Sequence, residues 1–280
     1  MNAKRSRDVW DPLIPSGQDR NRARAVPGTP QTRAPAYRLA YDDTDFMCRE
    51  ELRPVRLQLE LLKPELMLQE HGIKSTAVLF GGARIPESGG IAWAAKNETQ
   101  RRNLEDNARY YDEARAFARL CAEHSKSTGG EEFVVVTGGG PGVMEAGNRG
   151  AADVGAKSIG LNIVLPHEQA PNEYVTPELC FNFHYFAIRK MHFLMRARVI
   201  AVFPGGFGTM DELFESLTLI QTGRMERVPV LLFGKEFWSK AINLEFLAEQ
   251  GTISPDDAAL IDPVDSGEEA WEIVQNFYGI

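Results

Sequence analysis

At 280 residues and 43% hydrophobic content the chain is long and apolar enough for one α/β domain with a real core. A net charge of −8 and a pI near 5.3 argue against general nucleic-acid binding, which needs a basic face. No stretch has the length of an apolar membrane span, charges and prolines stand where a secretory signal would be apolar, and Cys48, Cys121 and Cys180 have no C-x-x-C spacing, so a cytoplasmic protein with reduced thiols is expected.

Residues 1–38 hold eight Lys or Arg against three Asp, with five prolines and no helical or strand periodicity. This predicts a flexible basic arm over residues 1–40, which Trp10, Leu13 and Ile14 could pin to a surface. Residues 41–75 read as a helical extension, with Leu57, Leu61 and Leu66 on one buried face and Pro54 and Pro64 dividing it into pieces. Arg49, Arg53 and Arg56 share a helix face, as a solvated stripe or, turned toward a crevice, a phosphate clamp.

Residues 76–280 alternate strands and helices through short links, which predicts a single doubly wound, mostly parallel, Rossmann-like sheet. The first strand, 76–80, runs into Gly81, Gly82 and Arg84, a guanidinium able to grip a phosphate. A long amphipathic helix follows, ending near Gly129. Strand 133–137 ends in Gly138, Gly139, Gly140, Pro141 and Gly142, then a helix bearing Met144. Strand 158–165 and a short strand near 179–183 precede a helix over 186–198 that carries Arg189 and Lys190. Strand 199–203 stops at Pro204, Gly205, Gly206 and Gly208, and Thr209 is placed to open a helix through Gln221. A strand at 228–233, a helix over 237–250, a strand at 260–264 and a helix capped by Ser266 and Glu269 complete the chain.

Glycine turns at the carboxyl ends of parallel strands suit an anion, because free N–H groups and the positive end of the helix dipole face the crevice. Neither loop fits G-x-G-x-x-G or a P-loop, so dinucleotides and triphosphate hydrolysis are disfavoured. Glu212, one turn past the second loop, has two readings from spacing alone: a carboxylate for glycosyl chemistry, or the far half of a Thr209-x-x-Glu212 capping box. Arg189 alone reads as a surface arginine, and the five histidines show no metal spacing.

Together, Gly138-Gly139-Gly140-Pro141-Gly142-Val143-Met144, Arg189-Lys190 and Pro204-Gly205-Gly206-Phe207-Gly208-Thr209 with Glu212 resemble the motif set of the Lonely Guy (LOG) family, once mislabelled lysine decarboxylases. The fuller loop through Glu145 and Ala146 is closer to a bacterial subgroup. The resemblance implies a phosphoribohydrolase that cuts the N-glycosidic bond of a nucleoside 5'-monophosphate, AMP or a cytokinin riboside monophosphate, without metal or organic cofactor. It makes Glu212 and Arg189 the catalytic pair. The phosphate falls to Thr209 and the glycines of both loops, with Pro204, Met144, Lys190 and Arg84 completing the binding set. It also implies a homodimer or larger homo-oligomer. The rivals are a nucleotide sensor that binds without cutting, and a pyridoxal-phosphate decarboxylase using Lys190 as Schiff base.

Overall fold

The computed structural model of the protein describes residues 13–166 and 170–280, so Trp10 lies outside the described residues. Two compact units divide between Leu59 and Glu60. In the first, Ser16–Arg24 and Thr44–Met47 are helical with no buried residues, the former where the sequence has no periodicity. Local polar contacts hold these turns: Arg24 donates to the Asp42 carboxylate at 2.7 to 3.1 Å, and the Tyr41 hydroxyl donates to the Ser16 carbonyl at 2.7 Å. Arg49 pairs with Glu51, Arg53 with Glu50, and Arg56 donates to the carbonyls of Met47 and Arg49.

Helix α1 (Arg53–Glu70) is continuous, contrary to the expected division at its prolines. Pro54 falls in the first turn, where no intrahelical N–H is needed. Pro64 lies inside and cannot donate to the carbonyl four residues back, that of Glu60. His192 Nε2 stands 3.2 Å from that carbonyl and replaces the missing donor.

The second unit is a seven-stranded sheet: β1 (Thr76–Phe80), β2 (Val134–Thr137), β3 (Ser158–Ile163), β4 (Cys180–Phe183), β5 (Ala197–Val202), β6 (Val230–Phe233) and β7 (Ile261–Val264). The order is β4-β3-β2-β1-β5-β6-β7, and every pair is parallel. Side chains alternate between two cores, as the strand period requires. Ala77, Leu79, Val199 and Ala201 face one core with Tyr111, Phe117 and Trp271, from helices α2 (Arg109–Ser127) and α3 (Val143–Asp153) and the C-terminal Gly267–Tyr278. Val78, Phe80, Ile200 and Val202 face the other with Phe193 and Leu213, from helices α4 (Phe186–Leu194) and α5 (Phe207–Gln221). The fold is a doubly wound, Rossmann-like parallel sheet.

Some boundaries differ from the sequence reading. The helix over 186–198 stops at Leu194, because Ala197 already pairs with Thr76. The helix over 237–250 is two, Lys235–Ala241 and Leu244–Glu249, with the Asn243 side chain accepting from Phe246 N–H to start the second. At the last helix Ser266 accepts from Glu269 N–H, but the Glu269 carboxylate turns to Asp265 N–H instead, leaving half a capping box.

Strand order reverses between β1 and β5, the point at which the crossovers part to opposite faces and open a crevice at the strands' carboxyl ends. There the turns after β1, β2 and β5 meet at Gly82 through backbone hydrogen bonds. Gly82 N–H donates to the Pro204 carbonyl at 2.9 Å, and Val143 N–H donates to the Gly82 carbonyl at 3.3 Å. Gly142 has φ +69° and ψ −131°, and a Cβ on it would lie 2.5 Å from the Gly82 carbonyl oxygen. Gly142→Ala is therefore expected to lower unfolding free energy by roughly 2–4 kcal/mol in urea titrations, from the strained φ and the clash together.

Candidate active site

A cleft of about 710 Å³ opens at this switch point, a volume suited to a small ligand. One wall is the turn Gly81-Gly82-Ala83-Arg84 after β1; the opposite wall is Pro204 to Glu212, the turn after β5 and the start of α5. Helix α5 begins two residues earlier than expected, with Gly206 as N-cap and Phe207, Gly208 and Thr209 as its first turn. Their N–H groups have no intrahelical acceptor, an arrangement that suits an anion.

The glycines of this turn divide by role. A Cβ on Gly205 would lie 2.1 Å from Thr209 Oγ1, so that glycine is required by packing. One on Gly206 or Gly208 would meet nothing within 4 Å. The space over those two residues is the cleft.

The early helix start removes the capping-box reading of Glu212. A capping-box glutamate sits three residues after the N-cap, and Glu212 stands six after Gly206. Its side chain is instead buried at the cleft wall, the residue only 7% exposed. Burial pushes its carboxyl up to about 7, aided by the charges of Glu215 and Asp211 and restrained by those of Arg189 and Lys190. A carboxyl group poised there can take or give a proton at neutral pH.

Arg189 reaches the same point from α4. Its Nη1 lies 3.7 Å from Glu212 Oε1, its Nε donates to the Leu161 carbonyl at 2.7 Å, and its guanidinium sits 5.1 Å from the centre of the Phe193 ring. The side chain is 12% exposed, so Arg189 is a cleft residue and not a surface arginine. Gly138 is glycine because of it: a Cβ there would come within 2.7 Å of both Arg189 Nη2 and Met144 Sδ.

The structure thus brings Glu212, Arg189, Arg84, Gly138, Met144, Pro204, Gly205, Gly206, Gly208 and Thr209 to one cleft. Gly139, Gly140 and Gly142 stand behind it. Gly139 N–H donates to Thr137 Oγ1 at 2.9 Å, and Asn172 donates to the carbonyls of Gly139 and Gly140 at 2.8 and 3.0 Å, so this stretch braces the wall. Lys190 is turned away to Asp211 at 2.8 Å and Glu215 at 3.1 Å on α5. Sequence reasoning missed Ile85, Leu104, Asn107 and Phe237, which line the cleft from elements that carry no motif. Their only signal is position, each lying just past a strand or near a helix end.

Residues 144–274 match the family model described as "Possible lysine decarboxylase". Over that stretch the chain is similar to this family. The match agrees with the LOG-type motifs, and it covers α3 to the C-terminal helix, including Arg189 and Glu212. Among solved structures the chain is similar to a molybdenum cofactor binding protein from the phototrophic bacterium Rippkaea orientalis, at 18% identity and a TM-score of 0.47, covering 73% of this chain and 98% of that one. It is also similar to the molybdenum cofactor carrier protein of Chlamydomonas reinhardtii, at 17% identity and a TM-score of 0.45, covering 74% and 100%. No curated protein matches the sequence.

The reaction in the family's description would need a Schiff-base lysine with a lowered pKa to hold pyridoxal phosphate. Lys190 does not fit that role. Burial alone would lower its pKa, but its bonds and charge contacts to Asp211 and Glu215 raise it above the ordinary lysine value, and no lysine lines the cleft among the described residues.

The burial of Glu212 makes a pH prediction. Its folded pKa is raised from 4.5 to about 7, so the stability associated with the protonated carboxyl is fully present below the unfolded value and is lost as pH rises through 7. Glu212→Gln, which cannot ionise, should therefore gain stability over the wild type as pH moves from 5 to 8.5, by up to about 3 kcal/mol, read as a difference in Tm that widens with pH.

Proposed function

We propose that the cleft hydrolyses the N-glycosidic bond of a nucleoside 5'-monophosphate, with AMP the preferred substrate and cytokinin riboside monophosphate a related one, to give free base and ribose 5-phosphate. The observation that carries this reading is one helix holding both an anion site and a buried carboxyl. The first turn of α5 offers its N–H groups to the 5'-phosphate. Glu212 lies five residues after Phe207, about 7 Å along the axis, close to the span from a 5'-phosphate to the anomeric carbon.

In this reading the phosphate rests on Phe207 to Thr209 with Arg84 facing it across the cleft, and the sugar lies between Glu212 and Arg189. Ionised Glu212 takes a proton from water as the water oxygen bonds to C1' and the C1'–N bond breaks, and its charge stabilises the cation-like sugar. The departing base takes up a proton. Arg189 keeps a fraction of Glu212 ionised at neutral pH and steadies the ligand. Ile85, Leu104 and Phe237 supply apolar surface for the base, and Lys190 acts through Asp211 and Glu215 rather than on the phosphate.

Assembly as a homodimer or larger homo-oligomer belongs to the same proposal. Phe186, Met191 and Met195 on or beside α4 and Phe207 and Phe214 on α5 are exposed, Phe207 by 92%, which is more apolar surface beside one site than a monomer keeps without use. Sedimentation should give a dimer or larger species, and Met191→Glu should shift it toward monomer. A cytoplasmic setting is part of the proposal as well; among the described residues Cys48, Cys121 and Cys180 are free and no helix is long and apolar enough to cross a membrane.

The test is incubation with a panel of nucleoside monophosphates followed by chromatographic separation of bases from nucleotides. AMP should yield adenine and ribose 5-phosphate. Glu212→Gln should lower kcat by about 10²- to 10⁴-fold while AMP still raises its Tm. A Tm rise in the wild type with no base released from any member of the panel would replace the hydrolase with a nucleotide sensor.

A further inference from the structure

Arg189 owes its place to α4, and α4 is held from α1 by a residue outside every motif of the site. The Glu60 carboxylate accepts from His184 N–H at 2.8 Å through Oε1 and from Tyr185 N–H at 3.1 Å through Oε2. These are the residues that open α4, with Tyr185 as its N-cap. No side chain of the N-cap itself closes that end, so a carboxylate 125 residues earlier does so, in the place where negative charge suits the helix dipole.

The main chain of the same residue grips α4 a second time. Pro64 leaves the Glu60 carbonyl without its helical donor, and His192 Nε2 in the last turn of α4 fills the vacancy at 3.2 Å. This bond requires the proton on Nε2. His192 is 4% exposed, burial lowers its pKa, and its Nδ1 has no partner among the described residues, which is the neutral tautomer the contact needs. Beyond the helix, Arg196 is clamped by Glu65 of α1 through two bonds at 2.6 and 2.7 Å. Arg189 lies between the grips, its N–H bonded to the Tyr185 carbonyl at 3.2 Å.

We infer that Glu60 is a positioning residue for catalysis: by closing the N-terminal end of α4 with its side chain and holding His192 with its carbonyl, it fixes Arg189 at its distance from Glu212. The inference rests on the proposed hydrolase for its kinetic readout, and on the geometry of α1 and α4 alone for its spectroscopic one. Burial raises the Glu212 titration most, and the charges that bear on it are Arg189 and Lys190 on α4 and Asp211 and Glu215 on α5. Loosening α4 withdraws both positive charges and leaves the two negative ones in place.

The test uses the full chain with Glu60→Gln, which keeps the size of the side chain but removes its charge and sets an amide donor against one of the two N–H groups. The Glu212 carboxyl is titrated by carbon-13 NMR in the wild type and the variant, and kcat and KM are measured with the monophosphate that the wild type turns over. The inference expects the Glu212 midpoint to rise by about half a unit or more, the acid limb of the kcat profile to move with it, and kcat to fall about 10- to 100-fold with KM changed far less. A variant with lower Tm but an unchanged Glu212 midpoint, and unchanged kcat per folded molecule, would reduce Glu60 to a structural cap and overturn the inference. If Glu60→Gln does not fold, Glu60→Asp, which keeps the charge but falls one methylene short, is scored by the same midpoint. If the wild type releases no base, the hydrolase reading fails while the NMR midpoint still decides the role of Glu60.

Discussion

The site depends on the meeting of three backbone turns at Gly82. Its N–H is bonded to Pro204 after β5, its carbonyl accepts from Val143 after β2, and the Gly142 backbone passes close enough that a methyl group would collide with that carbonyl. With no side chain between them, the ends of β1, β2 and β5 close into one rigid rim. That rim aims the first turn of α5 into the crevice that the reversal of strand order creates. Were the turns held apart by even one Cβ, the first turn of α5 and the carboxyl one turn behind it would lose their common wall.

Much of this was legible in the sequence, and the parts that were not have physical causes. Unbroken β-branched runs such as Val134–Thr137 are buried on both faces, and such runs report parallel strands well. The glycine turns report strand ends equally well. What local pattern could not supply was the start of α5, because glycines at 205, 206 and 208 permit several starts and only the packed structure chooses Gly206. That choice separates a capping glutamate from a buried acid. Pro64 misled for a related reason: a proline breaks a helix only when the carbonyl it strands finds no other donor, and His192 lies 128 residues away in the sequence. Asn107 and Leu104 carry no pattern because they meet the ligand space through tertiary folding alone.

The electrostatics around Glu212 are layered. Arg189 stands against the buried carboxyl directly, while Lys190, the next residue, neutralises Asp211 and Glu215 on the outer side of α5. Lys190 thereby offsets the two negative charges that raise the Glu212 carboxyl. Adjacent basic residues thus perform different tasks, one facing the cleft and one tuning what the cleft contains. The arrangement keeps an expensive buried acid near its balance point.

The glycines around the cleft fall into two populations. Gly139, Gly142 and Gly205 are pinned by neighbours that leave no room for a methyl group, whereas Gly206 and Gly208 border open space. Inherited change at the first group is policed by folding itself. Change at the second alters the cleft surface alone, so a lineage with this architecture can vary that surface while its scaffold persists untouched.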